Sequence, residues 1–423
     1  MQTKIFDYGM NGEGVAKIDG KIYLINNALI DEFVDITTVE DNENYAIATI
    51  NEIIEKSNNR VCPHCPHYNN CGGCQLQHMS YAEQLKFKQL LIKKTLKKVS
   101  NISIDVNNTV GCENQFGYRN KMSFSVSKSQ CGLLQENSKT IVDINSCPLT
   151  SKNINTILML FKSSVTNELK QHIKNLVIRE INNQILVGIV TTKHLNLNDF
   201  MLLLKQNFIS IGLYEIINTR NDSVVLSGKV NHIGGIKEIN IVSNVSTNVI
   251  KYSVDLMGFH QTNLEIQNKL YEKVLNYINS NSTVVNGFSG QGLLSAILAT
   301  KAKKVIGIEL NKSSHISAEA LKKQNKITNL TNVLGDFNKE IDKYKAKADT
   351  LILDPTKKGC GKTVMNKIKG IKNIVYISCN PIALCKDLNQ LKEEYDIEEV
   401  TPFDMFPNTT SVETLVKLKI KEK

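Results

Sequence analysis

The 423-residue sequence contains no tryptophan, so any aromatic stacking on a ligand falls to its 13 tyrosines and 13 phenylalanines. It also contains no apolar run near the roughly 20 residues that a membrane-spanning helix requires. The segment from Met1 to Lys21 lacks the basic, apolar and small-residue pattern of a signal peptide. We therefore expect a cytoplasmic protein with no membrane segment.

The ten cysteines do not suggest disulfide bonds, because a chain without an export signal stays in a reducing compartment. Four of them crowd into Cys62–Cys74, a spacing that indicates a metal or cluster site. The formal net charge of +10 suits an anionic partner such as RNA. An AT-rich genome would also raise the lysine content, so the charge alone is weak support.

The chain is too long for one core, and its patterns divide it into three units, residues 1–58, 59–250 and 251–423. The first unit alternates short apolar runs with glycine turns. Five short strands of this kind predict an OB-like β-barrel, a common platform for nucleic acids. A β-sandwich without a ligand is the alternative, which the spacing favours less.

The second unit mixes the periodicities of helices and strands, so we predict an α+β domain. Its first helix, Ala82–Lys98, has an apolar face and six lysines that should lie largely on the opposite, solvated side. The other predicted elements are strands at Lys121–Val126, Asn183–Val190 and Ser223–Leu226 and helices at Lys152–Phe161 and Leu197–Gln206.

The third unit has a helix, Leu264–Ile278, followed by short apolar strands spaced widely enough for helices between them. This alternation predicts a doubly wound, Rossmann-like α/β sheet. The predicted strands are Thr283–Asn286, Lys304–Ile308, Asn332–Leu334, Thr350–Leu353 and Ile374–Ser378.

A cofactor pocket is predicted where the first of these strands ends. The strand runs into the glycine-rich loop Gly287–Gly292, which includes Gly290, and the second strand ends in Glu309. Glycines let the backbone turn sharply beside a ligand, and a carboxylate after the second strand can bind ribose hydroxyls. This pair fits S-adenosylmethionine or a dinucleotide. Asp336 and Asp354 follow later strands on the same rim, although Asp336 could equally cap a helix.

Cys379 and Glu413 are the candidates for the chemistry. Cys379 directly follows an apolar strand and precedes Asn380-Pro381, so its thiol should face the ligand edge of the sheet. A free thiol is more commonly buried and structural, and an isolated Glu413 would ordinarily be a surface acid. A thiolate that adds to C6 of uracil makes C5 nucleophilic, and a base must then remove the C5 proton. A cysteine and a glutamate fit these two roles.

Over its whole length the chain resembles the RumA/TrmA family of RNA uracil-5-methyltransferases, and its cysteine cluster makes it similar to the 23S ribosomal RNA branch. The matching motifs are CPHYNNCGGCQLQH at Cys65–His78, YRNK from Tyr118, FHQTN from Phe259, the glycine loop, SCNP from Ser378 and DMFP…VET ending at Thr414.

The resemblance implies an N-terminal TRAM barrel, Cys379 as nucleophile, Glu413 as base and 23S ribosomal RNA as the partner of a monomeric enzyme. It also implies a set of residues that bind S-adenosylmethionine, with Asp336 matching less securely. That set is Gln261, Phe288, Gly290, Glu309, Asp336 and Asp354.

The cysteine cluster has two interpretations. The paired spacing of Cys62, Cys65, Cys71 and Cys74 is typical of a zinc knuckle. The resemblance instead implies a 4Fe–4S cluster held by Cys65, Cys71, Cys74 and the distant Cys147, and we favour this. Such a cluster would organise the middle unit and shape RNA contacts, because the methylation chemistry needs no electron transfer.

Several positions depart from the family pattern, which leaves room for altered cofactor affinity or uridine positioning. The alternatives are a tRNA uridine methyltransferase, although the tRNA branch generally lacks the barrel and the cluster, and an RNA-binding factor that has lost catalysis. The departures are Asn286, Ser289, Leu293, Thr356, Lys357 and Ser411.

Overall fold

The computed structural model describes residues 1–246 and 248–422, and its first 55 residues form one six-stranded sheet. The spatial order is β1-β5-β6-β4-β3-β2. Its strands are β1 (Gln2–Lys4), β2 (Asp7–Tyr8), β3 (Gly14–Ile18), β4 (Lys21–Ile25), β5 (Phe33–Asp41) and β6 (Tyr45–Glu55).

The two edge strands of this sheet, β1 and β2, are separated in the chain by only Ile5 and Phe6. Ile5 N–H donates to the Glu32 carbonyl beside β5, whereas Phe6 N–H donates to the Val15 carbonyl on β3. The sheet therefore curves round on itself. The chain from Gln2 to Tyr8 forms two strands and not one because its backbone pairs with different strands on either side of Ile5.

Helix α1 (Tyr81–Ser100) follows the cysteine-rich segment. The Ser80 hydroxyl caps it by accepting from the Glu83 N–H, and Asn101 ends it in the left-handed conformation with φ of 53°. Such a residue satisfies the last carbonyls of a helix. Although the predicted boundaries assign this helix to the middle unit, it packs mainly against a helix of the C-terminal unit described below, and also contacts an edge strand of that unit's sheet.

The middle of the chain forms a seven-stranded sheet of order β13-β12-β11-β10-β7-β8-β9 with helices beside it. Its strands are β7 (Lys121–Val126), β8 (Cys131–Leu134), β9 (Ile141–Asp143), β10 (Ile173–Ile181), β11 (Gln184–Thr191), β12 (Ile211–Ile217) and β13 (Lys229–Gly235). The helices are α2 (Lys152–Ser164), α3 (Asn167–Lys170) and α4 (Asn198–Asn207).

The strand predicted at Ser223–Leu226 is wrong, because this segment is a loop. The Asn218 side-chain amide donates to the carbonyls of Val224 and Val225 at 2.8 and 3.0 Å. These carbonyls are therefore occupied by a side chain, and pairing with β12 begins only at Lys229.

A two-stranded hairpin, β14 (Ile239–Val245) and β15 (Asn248–Val254), links the middle sheet to the rest. It packs against helices of the C-terminal unit, and the predicted division after residue 250 falls inside β15. One hydrophobic core accordingly runs from Val177 and Val190 of the middle sheet to Leu270 and Leu294 of the C-terminal helices.

The C-terminal unit is built on a second seven-stranded sheet, of order β18-β17-β16-β19-β20-β22-β21. Its strands are β16 (Thr283–Gly287), β17 (Lys304–Glu309), β18 (Leu330–Leu334), β19 (Thr350–Leu353), β20 (Asn373–Ser378), β21 (Tyr395–Phe403) and β22 (Glu413–Ile420). Its helices are α5 (Leu264–Asn276), α6 (Leu293–Ala299), α7 (Lys312–Gln324), α8 (Phe337–Glu340), α9 (Gly361–Lys367) and α10 (Pro381–Leu388).

Five of these strands, β16 to β20, are parallel, and β22 runs antiparallel between β20 and β21. The predicted doubly wound sheet is confirmed. The order along the sheet reverses between β16 and β19, which is where such sheets open a ligand crevice at their carboxyl edge. Among the described residues, no helix is both long and apolar enough to cross a membrane.

Candidate active site

The predicted site residues of the C-terminal unit meet at the carboxyl edge of its sheet. Gly287, the last residue of β16, lies in register with Ile308 on one side and Leu353 on the other. Glu309 and Asp354 directly follow these two partners in the sequence. Parallel pairing therefore places both carboxylates beside the start of the glycine loop.

The glycine loop is held in a tight, left-handed turn. Phe288, Gly290 and Gly292 have φ angles of 59°, 55° and 83°. The Gly290 N–H donates to Glu309 Oε2 at 2.8 Å, and the Asn311 N–H donates to the other carboxylate oxygen at 2.6 Å. A Cβ added at Gly290 would meet no atom within 4 Å, so open space lies against this loop.

Two aromatic rings close one side of the loop. Phe288 and Phe337 lie with their ring centroids 5.1 Å apart, and a Cβ on Gly287 would come within 2.5 Å of Phe337. Asp336, just before Phe337, caps α8 by accepting from the Asn338 N–H at 3.0 Å. The helix-capping alternative for Asp336 is thus present. Its contact with a cofactor stays a prediction.

Cys379 and Glu413 face each other across neighbouring strands. Ser378 of β20 is in register with Thr414 of β22, and the antiparallel pairing puts the next residue, Cys379, opposite Glu413. The Cys379 thiol is half-buried, whereas Glu413 is only 3% exposed. This is the arrangement that a nucleophile and a base acting on one ring require.

The electrostatics at this edge favour protonated groups. Burial, together with the nearby Glu413 and Asp354, raises the pKa of the Cys379 thiol to about 11, while Lys357 acts in the opposite direction. Burial raises the pKa of Asp354 to about 7. Burial and the Asp354 charge together hold the pKa of Glu413 well above its usual range. A positively charged ligand at this edge would oppose these shifts, because it would stabilise the ionised forms of Cys379, Asp354 and Glu413.

Gln261, a further predicted cofactor residue, lies in the segment before α5. Its backbone carbonyl accepts from the Asn120 side chain at 2.8 Å and contacts the His260 ring at 2.9 Å. His260 in turn bonds the Tyr252 hydroxyl at 2.8 Å. Among the described residues, none makes a hydrogen bond with the Gln261 side-chain amide, which leaves it available to a ligand.

A buried ion pair between α1 and the segment before β22 was not predicted from the sequence. Lys88 of α1 binds Asp404, and neither side chain has any exposed surface. The Lys88 ammonium also donates to the Phe406 carbonyl at 3.0 Å. The pair anchors the Asp404–Phe406 segment that leads to Glu413. The predicted placement of the helix lysines on a solvated face is therefore wrong for Lys88, because a run of six lysines gives no signal that one is buried.

Replacing Asp404 by alanine is expected to destabilise the protein by about 3–5 kcal/mol, because an uncompensated charge would remain buried. Burial already lowers the pKa of Lys88, and Asp404 opposes that effect. The free energy of unfolding in urea measures the loss. Lys93→Ala is the control, since this lysine of the same helix forms only an exposed pair with Asp105. Equal unfolding midpoints for the two variants would contradict a stabilising role for the buried pair.

The four cysteines favoured as cluster ligands line one cavity of about 270 Å³ between the cysteine-rich segment and the middle sheet. They are Cys65, Cys71, Cys74 and Cys147. Burial raises the pKa of the Cys74 thiol to about 12 and that of Cys147 to about 11. Cys62 is exposed and does not line the cavity. Among the described residues, no three His, Cys, Asp or Glu side chains form a group that could hold a metal ion.

Comparison with known proteins agrees with this geometry. The model of the tRNA (Uracil-5-)-methyltransferase family matches residues 80–421. The chain belongs to this family. It is 32% identical to an uncharacterized RNA methyltransferase of Clostridium tetani, over 96% of this chain and 94% of that protein. It is also 32% identical to one of Clostridium acetobutylicum, over 99% and 96%.

The fold is similar to that of the tRNA (uracil-54, C5)-methyltransferase of Pyrococcus abyssi, solved in complex with S-adenosyl-L-homocysteine. The TM-score is 0.78 at 24% identity, and the match covers 99% of this chain and 100% of that one. The resemblance to RumA/TrmA enzymes is thus confirmed at the level of the family. The protein is an RNA uracil-5-methyltransferase that uses S-adenosylmethionine, and the anchored Glu309 carboxylate and the open space at Gly290 fit that cofactor.

Proposed function

We propose that the enzyme methylates C5 of a uridine in 23S ribosomal RNA and produces 5-methyluridine, with Cys379 as nucleophile and Glu413 as base. The observation that carries this proposal is the register of β20 and β22, which sets the thiol opposite the buried carboxylate. Asp354, on the adjacent strand, completes a group of three titratable side chains at the cofactor edge.

The proposed reaction needs the Cys379 thiol as a thiolate, which adds to C6 of the uracil ring. Electron density moves to C5, which would form a bond to the methyl group of S-adenosylmethionine as the S–CH3 bond of that sulfonium breaks and S-adenosylhomocysteine leaves. Glu413 removes the remaining C5 proton, the C5–C6 double bond re-forms, and the bond between Sγ and C6 breaks. A base is indispensable for this last step because the adduct cannot otherwise collapse.

We assign the cofactor to the glycine-loop edge, with Glu309 on the ribose hydroxyls and the Phe288 ring against the adenine. Gln261 and Asp354 would lie towards the methyl donor and the uracil, and Gly290 supplies the open space between them. The second carboxylate oxygen of Asp336 is a further candidate for a polar contact, because the first is engaged at the cap of α8.

We further propose that Cys65, Cys71, Cys74 and Cys147 hold a 4Fe–4S cluster. All four line the same cavity, and their thiols are close enough to raise one another's pKa. The donor set is made of thiols alone, as such clusters require. Cys62, which a zinc knuckle would use, lies outside the cavity. The cluster would tie the Cys147 loop, itself bonded to Asn155 of α2, to the cysteine-rich segment.

The cluster assignment predicts opposite results for two cysteine variants purified without oxygen. Cys147→Ala should lose most of the iron and acid-labile sulfide, because one of four ligands is missing. Cys62→Ala should keep the content of the wild-type protein. Iron, sulfide and zinc analyses together with visible absorption decide the matter. One zinc per chain, lost on substitution of Cys62, would replace the cluster with the zinc knuckle.

We also propose that the curved N-terminal sheet is a TRAM barrel of the OB type that contacts RNA, and that residues 1–58, 59–250 and 251–423 act as three units of a cytoplasmic monomer. An OB-type surface suits single-stranded or loop RNA, from which the target base would be flipped into the site. The chain's net charge of +10 supports such a partner.

A tRNA uridine is the second candidate substrate. At the level of sequence, the N-terminal unit and the cysteine cluster make the chain more similar to the enzymes that act on ribosomal RNA. The solved tRNA methyltransferase of Pyrococcus abyssi, however, matches 99% of this chain, N-terminal unit included. The presence of that unit therefore does not separate the two substrates.

The deciding experiment offers both RNAs to the enzyme. Anaerobically purified protein is incubated with labelled S-adenosylmethionine and with unmodified 23S ribosomal RNA or unmodified tRNA in separate reactions. Digestion and nucleoside mass spectrometry identify the product, and fragment mapping locates the base. 5-Methyluridine in ribosomal RNA alone supports the proposal. The same product in tRNA alone would overturn the ribosomal assignment and leave the reaction unchanged.

A further inference from the structure

A lysine-rich groove opens beside Cys379, and apart from the effect of Lys357 on that thiol its side chains have no role in the reaction proposed above. It has a volume of about 570 Å³ and lies between the loop after β19 and the start of α10. Its cationic side chains, which we call the groove lysines, are Lys357, Lys358, Lys362 and Lys386.

The groove lysines are exposed and have no partner of opposite charge. None of their ammonium groups makes a hydrogen bond or ion pair with another residue in the part of the chain that the structure describes. Elsewhere many lysines are paired, for example Lys162 with Asp143 and Lys273 with Glu399. Four unpaired cations round one groove repel each other, so an anionic ligand would stabilise them.

One carboxylate lines the groove, and it is already occupied. Asp387 is 4% exposed and accepts hydrogen bonds from the backbone of Cys360 and Gly361 and from the Tyr376 hydroxyl at 2.6–3.0 Å. Both of its carboxylate oxygens are therefore engaged, and they hold the segment that carries three of the lysines. Within the groove the balance of exposed charge is positive.

The groove is connected directly to the reacting thiol. Asn380, which lines it, is the residue after Cys379, and its side chain donates to the Lys357 carbonyl at 2.9 Å. Lys357 is also near enough to lower the pKa of the Cys379 thiol. If an RNA strand places a base against Cys379, the neighbouring phosphates of that strand therefore lie within reach of the groove.

We propose that the groove lysines bind the phosphates of the RNA backbone on one side of the uridine that enters the site. Several phosphates spaced along a strand match four separate cations better than a single small anion does, and ammonium groups act on phosphate as point charges. The inference rests on RNA as the substrate and deepens the proposed function. It holds for ribosomal RNA and tRNA alike.

The test uses Lys362→Ala/Lys386→Ala, which removes one cation from each wall of the groove and leaves Lys357 beside the nucleophile. Its matched control is Lys303→Ala/Lys304→Ala, two exposed lysines at the start of β17, on the opposite edge of the same sheet. Binding of unmodified 23S ribosomal RNA and of unmodified tRNA is measured across a salt series, with S-adenosylmethionine affinity and kcat at saturating RNA alongside.

We expect the groove variant to bind RNA roughly 10-fold more weakly, with a salt slope smaller by about 0.7 for each phosphate that the variant no longer neutralises. Its affinity for S-adenosylmethionine and its kcat should match the wild type, and the control should match it in every respect. A slope equal to that of the control would overturn the proposal, as would a loss confined to kcat. If the wild type bound RNA without methylating it, the proposed function would fail while the comparison of slopes still decided the groove.

Discussion

Cys379→Ala is expected to lower methyl transfer by roughly 10⁴-fold or more, the scale on which removal of a covalent nucleophile acts. Without the thiolate, C5 of uracil is not nucleophilic enough to take the methyl group. The alanine side chain leaves the glycine loop, Glu309 and the groove lysines in place. Affinities for S-adenosylmethionine and for RNA should therefore stay within about 2-fold of the wild type, which corresponds to a change of about 0.5 kcal/mol in binding free energy.

Cys385→Ala is the matched control for this result. Cys385 lies only six positions further along, in α10, and its buried thiol has a pKa raised to about 11 by burial. Because its side chain packs in the core and not at the sheet edge, its loss should leave turnover near the wild-type value. Labelled RNA product counted over time measures both variants. Residual activity in Cys379→Ala at a tenth of the wild-type rate would rule out covalent catalysis by this thiol.

The strands of the C-terminal unit could be predicted because each is a short apolar run closed by a polar or glycine residue. Thr350–Leu353 is found with the bounds predicted for it, and Ile374–Ser378 is one residue longer in the structure. Fully buried parallel strands require such runs. The positions of Glu309 and Asp354 at the carboxyl edge followed from the same pattern, since parallel strands end at a common edge.

The arrangement of Cys379 against Glu413 could not be predicted from local patterns. It depends on β22 entering the sheet antiparallel between β20 and β21, a choice of strand order made by long-range pairing. The predictions of a solvated Lys88 and of a strand at Ser223–Leu226 were wrong for a related reason. Lys88 is buried because it pairs with Asp404, which is distant in sequence. The 223–226 segment is a loop because the Asn218 side chain binds its backbone carbonyls.

Glu413→Gln is expected to stop the reaction at a later stage than Cys379→Ala. Thiol addition and methyl transfer can still take place, but the amide cannot remove the C5 proton, so the bond between Sγ and C6 persists. Turnover should fall by about 10²–10⁴-fold, the range for loss of a general base. A methyl-labelled enzyme–RNA complex should survive denaturing electrophoresis. It should be absent when Cys379→Ala is added, and its presence in that double variant would contradict attachment through Cys379.

The same substitution should stabilise the protein in a pH-dependent manner. Burial and Asp354 raise the folded-state pKa of Glu413, and Asp354 itself titrates at about 7, whereas unfolded carboxyl groups titrate near 4. The folded wild-type protein thus binds more protons than the unfolded chain above pH of about 4, and its stability falls as pH rises through the folded-state pKa values. A glutamine side chain does not ionise, so Glu413→Gln removes the loss of stability that comes from ionising Glu413.

Glu413→Gln should therefore exceed the wild type in free energy of unfolding at pH 8, and this excess should grow as the pH rises from about 4. The difference should disappear below about pH 3, where both carboxyl groups are protonated in the folded and in the unfolded state. Urea denaturation at intervals across this range measures it, and Glu52→Gln, on an exposed position of β6, should show no such trend. A difference that does not change with pH would mean that the pKa of Glu413 is the same in the folded and the unfolded protein, contrary to the shift that burial and Asp354 produce.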